Sequence, residues 1–331
     1  MARSTIKNQI TTAESIGQIL QENKNLINDF LIYLKSIDRS PNTIKQYKND
    51  LEIFFVYNLQ NNNNKPFVDI TKRELVRFQS YAIEEWKWSP NRLRRVKSVL
   101  SSLSNYIENI LDDEYPNFRN LIIKIESPAK QNVRENTVFT DEELQKLLDH
   151  LVSTNQIRQA AMLALAMYSG RRKTELTLFK VSYFKDENII FDTFWRTDEK
   201  IRTKGKGVQG KMINLYILKD KFQPYLDLWL KYREDNHIES EWLFPSTKDP
   251  SQPINIETLN YWADTFTTFL KKDFYWHSMR HYFTTMLARQ NVPNNIIQEI
   301  VNWESADMVD LYTDISKEEK IGKYFLENKL E

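Results

Sequence analysis

Apolar positions recur every three to four residues along most of this chain, the spacing of helices that bury one face. From Lys24 to Leu34 they are Leu26, Ile27, Phe30, Leu31 and Leu34. Ser40-Pro41 then supplies an N-cap followed by proline at the first helical position, and Ile44, Tyr47, Leu51 and Phe54 form the inward stripe of a second helix. Asn61 to Asn64 reads as a loop. Thr71 and Glu74 form a capping box that opens a third helix, with Leu75, Phe78 and Ala82 inward. A fourth helix starts at Ser89-Pro90 and turns Leu93, Val96, Leu100, Leu103 and Ile107 to the core. Residues 1–22 are polar up to the first helix and are expected to be weakly structured. Residues 126–136 (ESPAKQNVREN) lack apolar periodicity and read as a linker.

Regular structure restarts at the capping box Thr140–Glu143, with helices expected over Leu144 to Leu151 and Gln156 to Tyr168. A β-rich stretch follows, with strands expected at Asn188 to Phe191 and Lys211 to Ile217, and the remainder is helical. The pattern therefore predicts a mainly α protein with a small antiparallel β-sheet. It has an N-terminal four-helix domain over 23–125 and a second domain over 137–331. A length of 331 residues suits two domains.

Composition narrows the function classes. Lys+Arg 46 against Asp+Glu 45 leaves a net charge of +1, so any nucleic-acid binding must come from a local patch. The absence of cysteine excludes disulfides, thiolate catalysis and cysteine-ligated metals. The longest apolar run, Ala160 to Tyr168, is about half of the ~18 residues a membrane span needs. The opening MARSTIKNQITTAES has no signal-peptide core, so a cytoplasmic protein without membrane partners is expected.

Six glycines serve the whole chain, and four lie beside basic residues: Gly170, Gly205, Gly207 and Gly210. In Ser169-Gly170-Arg171-Arg172-Lys173-Thr174-Glu175, cations stand at a helix start, against the macrodipole, which an anion bound there would explain. Glu175 lies three residues after Arg172 and could orient its guanidinium; a surface salt bridge explains the pair equally well. Thr203 to Lys211 has the look of a β-hairpin whose turn carries Lys204 and Lys206, either a bare solvent-exposed tip or a source of a proton for a leaving oxygen. His277 and Arg280 share a helix face and suit a phosphate. No metal-ligand spacing accompanies them, so no metal and no cofactor are expected. Trp303 is followed nine residues later by Tyr312, one of 16 tyrosines and by itself an ordinary packing residue. On the fourth helix, Arg92, Arg94, Arg95, Lys97, Ser98 and Ser101 make a basic, hydroxyl-rich surface. It is either a solvated face or a DNA-contacting one.

Taken in order, Arg-x-x-Glu after a glycine, a lysine hairpin, His-x-x-Arg, and an aromatic residue nine before a tyrosine resemble the tyrosine recombinase (phage integrase) family. The resemblance spans about residues 24–327 and implies a SAM-like core-binding domain ahead of a catalytic domain. It implies that Arg172 and Arg280 grip the scissile phosphate, with Glu175 supporting the first. Lys206, or Lys204 close by, would protonate the leaving 5′ oxygen, and His277 would assist proton transfer. Trp303 would stand where most members have a second histidine. Tyr312 would be the nucleophile forming a 3′-phosphotyrosyl bond. Asn302 stands where glycine is usual and Asn214 where proline often is. The implied partners are double-stranded DNA at specific core sites, a homotetramer on that DNA, and accessory DNA-bending factors. The short segment ahead of the first core-binding helix suits a simple core-site recombinase, such as a Xer protein, a transposon resolvase or a compact integrase of a mobile element, and the departures at Trp303 and Asn302 favour the mobile-element integrase. The alternatives are a Xer-like resolvase, a type IB topoisomerase-like nicking-closing enzyme, and a non-catalytic DNA-binding descendant.

Overall fold

The computed structural model describes residues 6–129, 139–203 and 211–303, together with Ser305 and Val309. These residues fall into two compact units, one on either side of residues 130–138.

The first unit contains α1 (Ile6–Ile10), α2 (Ala13–Gln18), α3 (Gln21–Ser36), α4 (Pro41–Asn61), α5 (Lys72–Glu84) and α6 (Pro90–Ile110). The expected caps are present. Ser40, Thr71 and Ser89 each accept a hydrogen bond from the backbone N–H three residues on, and Glu74 closes its box by accepting from the Thr71 N–H. The α4 residues Asp50 to Asn58 are buried on every side, because α1, α2, α3 and α6 all pack on that helix. Aromatic rings fill the centre, with Phe54 edge-on to Phe78 at 5.0 Å and Phe30 5.5 Å from Tyr106. The expectation of a weakly structured N-terminal segment is corrected. Thr12 and Ser15 close a capping box on α2, Ile19 is buried, and Lys7 pairs with Glu52 of α4. Ile10, Ile16 and Ile19 are too sparse for one amphipathic helix, so the period failed to reveal two short helices broken at Thr11-Thr12.

The second unit begins with α7 (Asp141–Ser153) and α8 (Ile157–Ser169). Residues Ala160 to Ala166 of α8 are almost wholly shielded from solvent. This helix is apolar all round because α7, α12 (Trp276–Arg289), α10 (Lys219–Asp235) and a β-strand all pack on it. A four-residue helix, α9 (Lys173–Leu176), follows. Then come β1 (Ile189–Ile190), β2 (Phe194–Arg196), β3 (Ile201–Thr203), β4 (Lys211–Ile213) and β5 (Tyr216–Leu218). Two further α-helices are α11 (Ile256–Leu270) and α13 (Asn294–Val301).

The strands form two antiparallel sheets, one ordered β1-β2-β5 and the other the β3-β4 hairpin. The single strand expected over Lys211 to Ile217 is thus corrected to two. The break falls at Asn214-Leu215, where Thr197 takes over the pairing. Its N–H donates to the Leu215 carbonyl, its hydroxyl accepts from the Leu215 N–H, and Asn214 donates to its carbonyl. Among the described residues no helix is long and apolar enough to cross a membrane.

Gly170 ends α8 with φ of 60°, and a Cβ there would lie 2.5 Å from the Phe283 ring. Backbone strain and overpacking would therefore combine in Gly170→Ala, which should lose about 2–5 kcal/mol of stability in urea unfolding.

Candidate active site

Three segments distant in the chain meet at the C-terminal end of α8. The first is the turn itself. Gly170 lets the backbone reverse into Arg171 and Arg172, and Arg172 is the N-cap of α9. The Glu175 carboxylate accepts from the Arg172 N–H at 3.0 Å and from its guanidinium at 2.9 Å. Glu175 is 2% exposed and the Arg172 side chain 29%, so this is not a surface pair. It is a buried carboxylate aiming a partly open guanidinium. Some of the negative charge called for by cations at a helix start therefore comes from within the chain.

The second segment is α12. His277, near the start of the helix, keeps an exposed edge while protein surrounds the rest of its ring, and Arg280, one turn on, is fully buried. The Arg280 guanidinium donates to the Gly170 carbonyl at 2.9 Å and to the Val301 carbonyl at 2.6 Å. The His277 imidazole is edge-on to His281 at 5.5 Å. Desolvation by the surrounding protein, followed by the charges of His281, Arg280 and Arg172, pulls its pKa down to about 4. The bond from Arg280 to the Gly170 carbonyl sets this helix against the turn that carries Arg172.

The third segment is the end of α13. Asn302 sits in the left-handed region with φ of 57° and ψ of 62°. Its N–H donates to the Glu299 carbonyl and the Trp303 N–H donates to the Gln298 carbonyl, the paired bonds of a Schellman cap. Asparagine tolerates this backbone better than any other non-glycine residue, so the departure from glycine at this position keeps the geometry. The cap turns Trp303 inward, where it is 7% exposed among Phe283, Leu287, Ile297, Val301 and Val309. The Arg280 guanidinium carbon lies 4.9 Å from the centre of its ring, a cation–π contact.

Arg172, Glu175, His277, Arg280 and Trp303 are thus brought together. Lys204, Lys206 and Tyr312 lie outside the described residues, although β3 and β4 do form the base of the expected hairpin, with the Thr203 hydroxyl donating to the Lys211 carbonyl. Arg171 was not singled out from the sequence, yet it is fully buried, and its guanidinium reaches the carbonyls of Ser169 and Ile300. The tandem Arg-Arg was its only signal.

The basic surface of α6 needs correction. Lys97 is 8% exposed and its ammonium donates to the carbonyls of Ile125 and Glu126, so it holds the returning chain rather than facing outward. Burial, and then the nearby Arg94, pull its pKa down. Lys97 flanks the stripe of Leu93, Val96 and Leu100, where the chain folds back over the helix. Arg92 pairs with the buried Asp50 at 2.7 Å and lies over the Trp88 ring. Arg95 also binds Asp50, through two hydrogen bonds. Ser101 accepts from Asn120. Arg94 donates to the Pro128 carbonyl but remains exposed, as do Arg95 and Ser98.

Residues 137–319 match the pattern described as "Phage integrase family", and residues 26–117 match "Phage integrase, N-terminal SAM-like domain". The chain belongs to the phage integrase family, the tyrosine recombinases, enzymes that cut and rejoin DNA at specific sites. It is 30% identical over 277 residues to the SPbeta prophage-derived recombinase-like protein YomM of Bacillus subtilis, covering 82% of this chain and 79% of that one. It is 22% identical over 303 residues to the tyrosine recombinase XerD of Oceanobacillus iheyensis, with 88% and 94% covered. Among solved structures, the XerH recombinase bound to its difH substrate shares the fold with a TM-score of 0.62 at 17% identity, over 92% of this chain and 97% of that one. The Tn1549 transposon integrase in complex with transposon right-end DNA gives 0.64 at 12% identity, over 90% and 98%.

Two outcomes follow from the geometry. Asn302→Gly should leave stability essentially intact, whereas Asn302→Val should cost about 1–2 kcal/mol in urea unfolding. His277 should titrate near 4 in the free protein by NMR, against the ordinary 6.5. A histidine whose pKa falls on folding binds fewer protons folded than unfolded. Its contribution to stability should therefore be lost as pH drops from 6.5 toward 4, and that component should vanish in His277→Gln.

Proposed function

We propose that this protein is a mobile-element integrase that cuts and rejoins double-stranded DNA at core sites through a 3′-phosphotyrosyl intermediate and a Holliday junction. It would act in the cytoplasm as a homotetramer on DNA, with accessory bending factors as partners. Residues 23–125 would form the core-binding domain and 137–331 the catalytic domain, joined by 126–136. The observation that carries the reading is the convergence of Arg172, His277 and Arg280 from separate segments on one locus. The prophage-derived relative favours a mobile element over a chromosomal Xer-like resolvase.

In this reading the Tyr312 oxygen attacks phosphorus, the bond to the 5′ oxygen breaks, and the strand is held as a phosphotyrosine ester. The 5′-hydroxyl of a partner strand reverses the step, so no external energy source is consumed. Arg172, aimed by Glu175, and Arg280 neutralise the non-bridging oxygens as negative charge builds on the phosphorane. Lys206, or Lys204, protonates the leaving oxygen. His277, neutral at physiological pH, assists proton transfer. Trp303 cannot transfer a proton, and it braces Arg280 by its ring face. On the first unit, Arg94, Arg95 and Ser98 remain to meet the duplex, while Arg92, Lys97 and Ser101 support that face from within.

A nicked duplex carrying the core site should trap a covalent adduct with the wild type and none with Tyr312→Phe. Arg172→Ala should form it about 10²–10³-fold more slowly. A substrate with two sites should give exchanged products; relaxed DNA alone would point to nicking-closing activity, and an adduct that survives Tyr312→Phe refutes the assignment. Affinity for DNA should fall steeply with salt, as counterion release requires.

A further inference from the structure

We infer that Arg171 is a positioning residue for strand cleavage: by clamping the end of α13 to the turn after α8, it sets where the chain departs toward Trp303 and Tyr312. The inference rests on Tyr312 being the nucleophile.

The backbone accounting at the end of α13 carries it. A helix leaves its last carbonyls without intrahelical partners. Here the Schellman cap satisfies those of Gln298 and Glu299 through the N–H groups of Trp303 and Asn302. Two carbonyls remain, and each receives a guanidinium: Ile300 from Arg171 and Val301 from Arg280. The two cations also favour this helix end electrostatically. At their other ends both arginines grip the same turn, Arg171 through the Ser169 carbonyl at 2.9 Å and Arg280 through the Gly170 carbonyl at 2.9 Å. The turn after α8 and the exit of α13 are therefore held by two bridges, Arg171 joining them directly over a separation of 129 residues and Arg280 joining them through α12.

Arg171 and its neighbour divide the work. The Arg172 side chain is partly open and is aimed by Glu175. Arg171 has no exposed surface, and its charge is turned inward. Desolvation lowers its pKa to about 10 despite the attraction of Glu175, so it stays cationic at neutral pH. An apolar side chain could fill the same space without the desolvation cost of a buried ion. What an apolar chain cannot do is tie the Ile300 carbonyl to the turn that carries Arg172. Displacement of that tie moves the attacking residue's segment relative to the phosphate-gripping one.

The test compares wild type, Arg171→Leu and Arg171→Lys for adduct formation in single turnover, for affinity toward uncleaved duplex, and for thermal midpoint. Arg171→Leu should cleave about 10²-fold more slowly, the usual consequence of misplacing a reacting group by about 1 Å, with affinity unchanged. Arg171→Lys should recover part of the rate, since an ammonium reaches a carbonyl but lacks the planar fork. A substrate with sulfur in place of the bridging 5′ oxygen adds the discriminating readout, because a thiolate leaves without a proton. Sulfur should rescue Lys206→Ala and leave Arg171→Leu slow. Rescue of Arg171→Leu by sulfur would assign it to leaving-group chemistry and overturn the inference, as would a wild-type rate or equal losses of rate and affinity. If Arg171→Leu does not fold, Arg171→Gln, which keeps a donor without the charge, is read by the same criteria. A wild type that forms no adduct refutes the role of Tyr312 instead.

Discussion

Buried guanidinium groups hydrogen-bonded to helix-end carbonyls hold the catalytic unit's site together. A carbonyl at the end of a helix must find a donor, and a buried arginine must find acceptors. Each need satisfies the other where α8, α12 and α13 meet, and neither can be met if one segment drifts. Arg280 serves two purposes there. It neutralises phosphate in the proposed chemistry and bridges Gly170 to Val301 in the free protein. Such a bridge makes the site cooperative, because the group that holds the charge also holds the frame.

The cation–π contact between Arg280 and Trp303 extends the same logic. A histidine in that place would offer a titratable nitrogen. The indole instead offers a broad ring face to the guanidinium and a large apolar body to Phe283, Leu287 and Val301. The position contributes packing and a ring face, and in the proposed chemistry proton transfer is left to other groups.

Much of this was legible in the chain. The boxes at Thr71 and Thr140, the Ser-Pro starts of α4 and α6, and the glycine ending α8 all report local backbone needs that one residue can satisfy, so they read directly. The site residues were legible because their types and order are unusual. What stayed hidden depended on the return of distant chain. Lys97 and Arg171 look like surface cations until the carbonyls of Ile125, Glu126 and Ile300 arrive beside them. Likewise, the break between β4 and β5 follows from Thr197, which lies earlier in the chain and leaves no mark in the alternation of Lys211 to Ile217. Periodicity describes what an element buries, not which backbone group a long polar side chain will meet.

The two-sheet arrangement carries a consequence of its own. The register of β3 and β4 is set by their own pairing; β3 sends Ile201 into the core, while Trp195 and Ile217 anchor it from the other sheet. Thr197 and Asn214 stitch the two where the chain passes from β4 to β5. Exchanges at the exposed Arg202 and Met212 can therefore be absorbed without shifting the strands that carry Trp195 and Ile217 by a residue, which would turn their buried faces outward. The exposed side of β3 and β4 is in this sense an evolvable surface, able to diversify without taxing the stability of the unit that supports it.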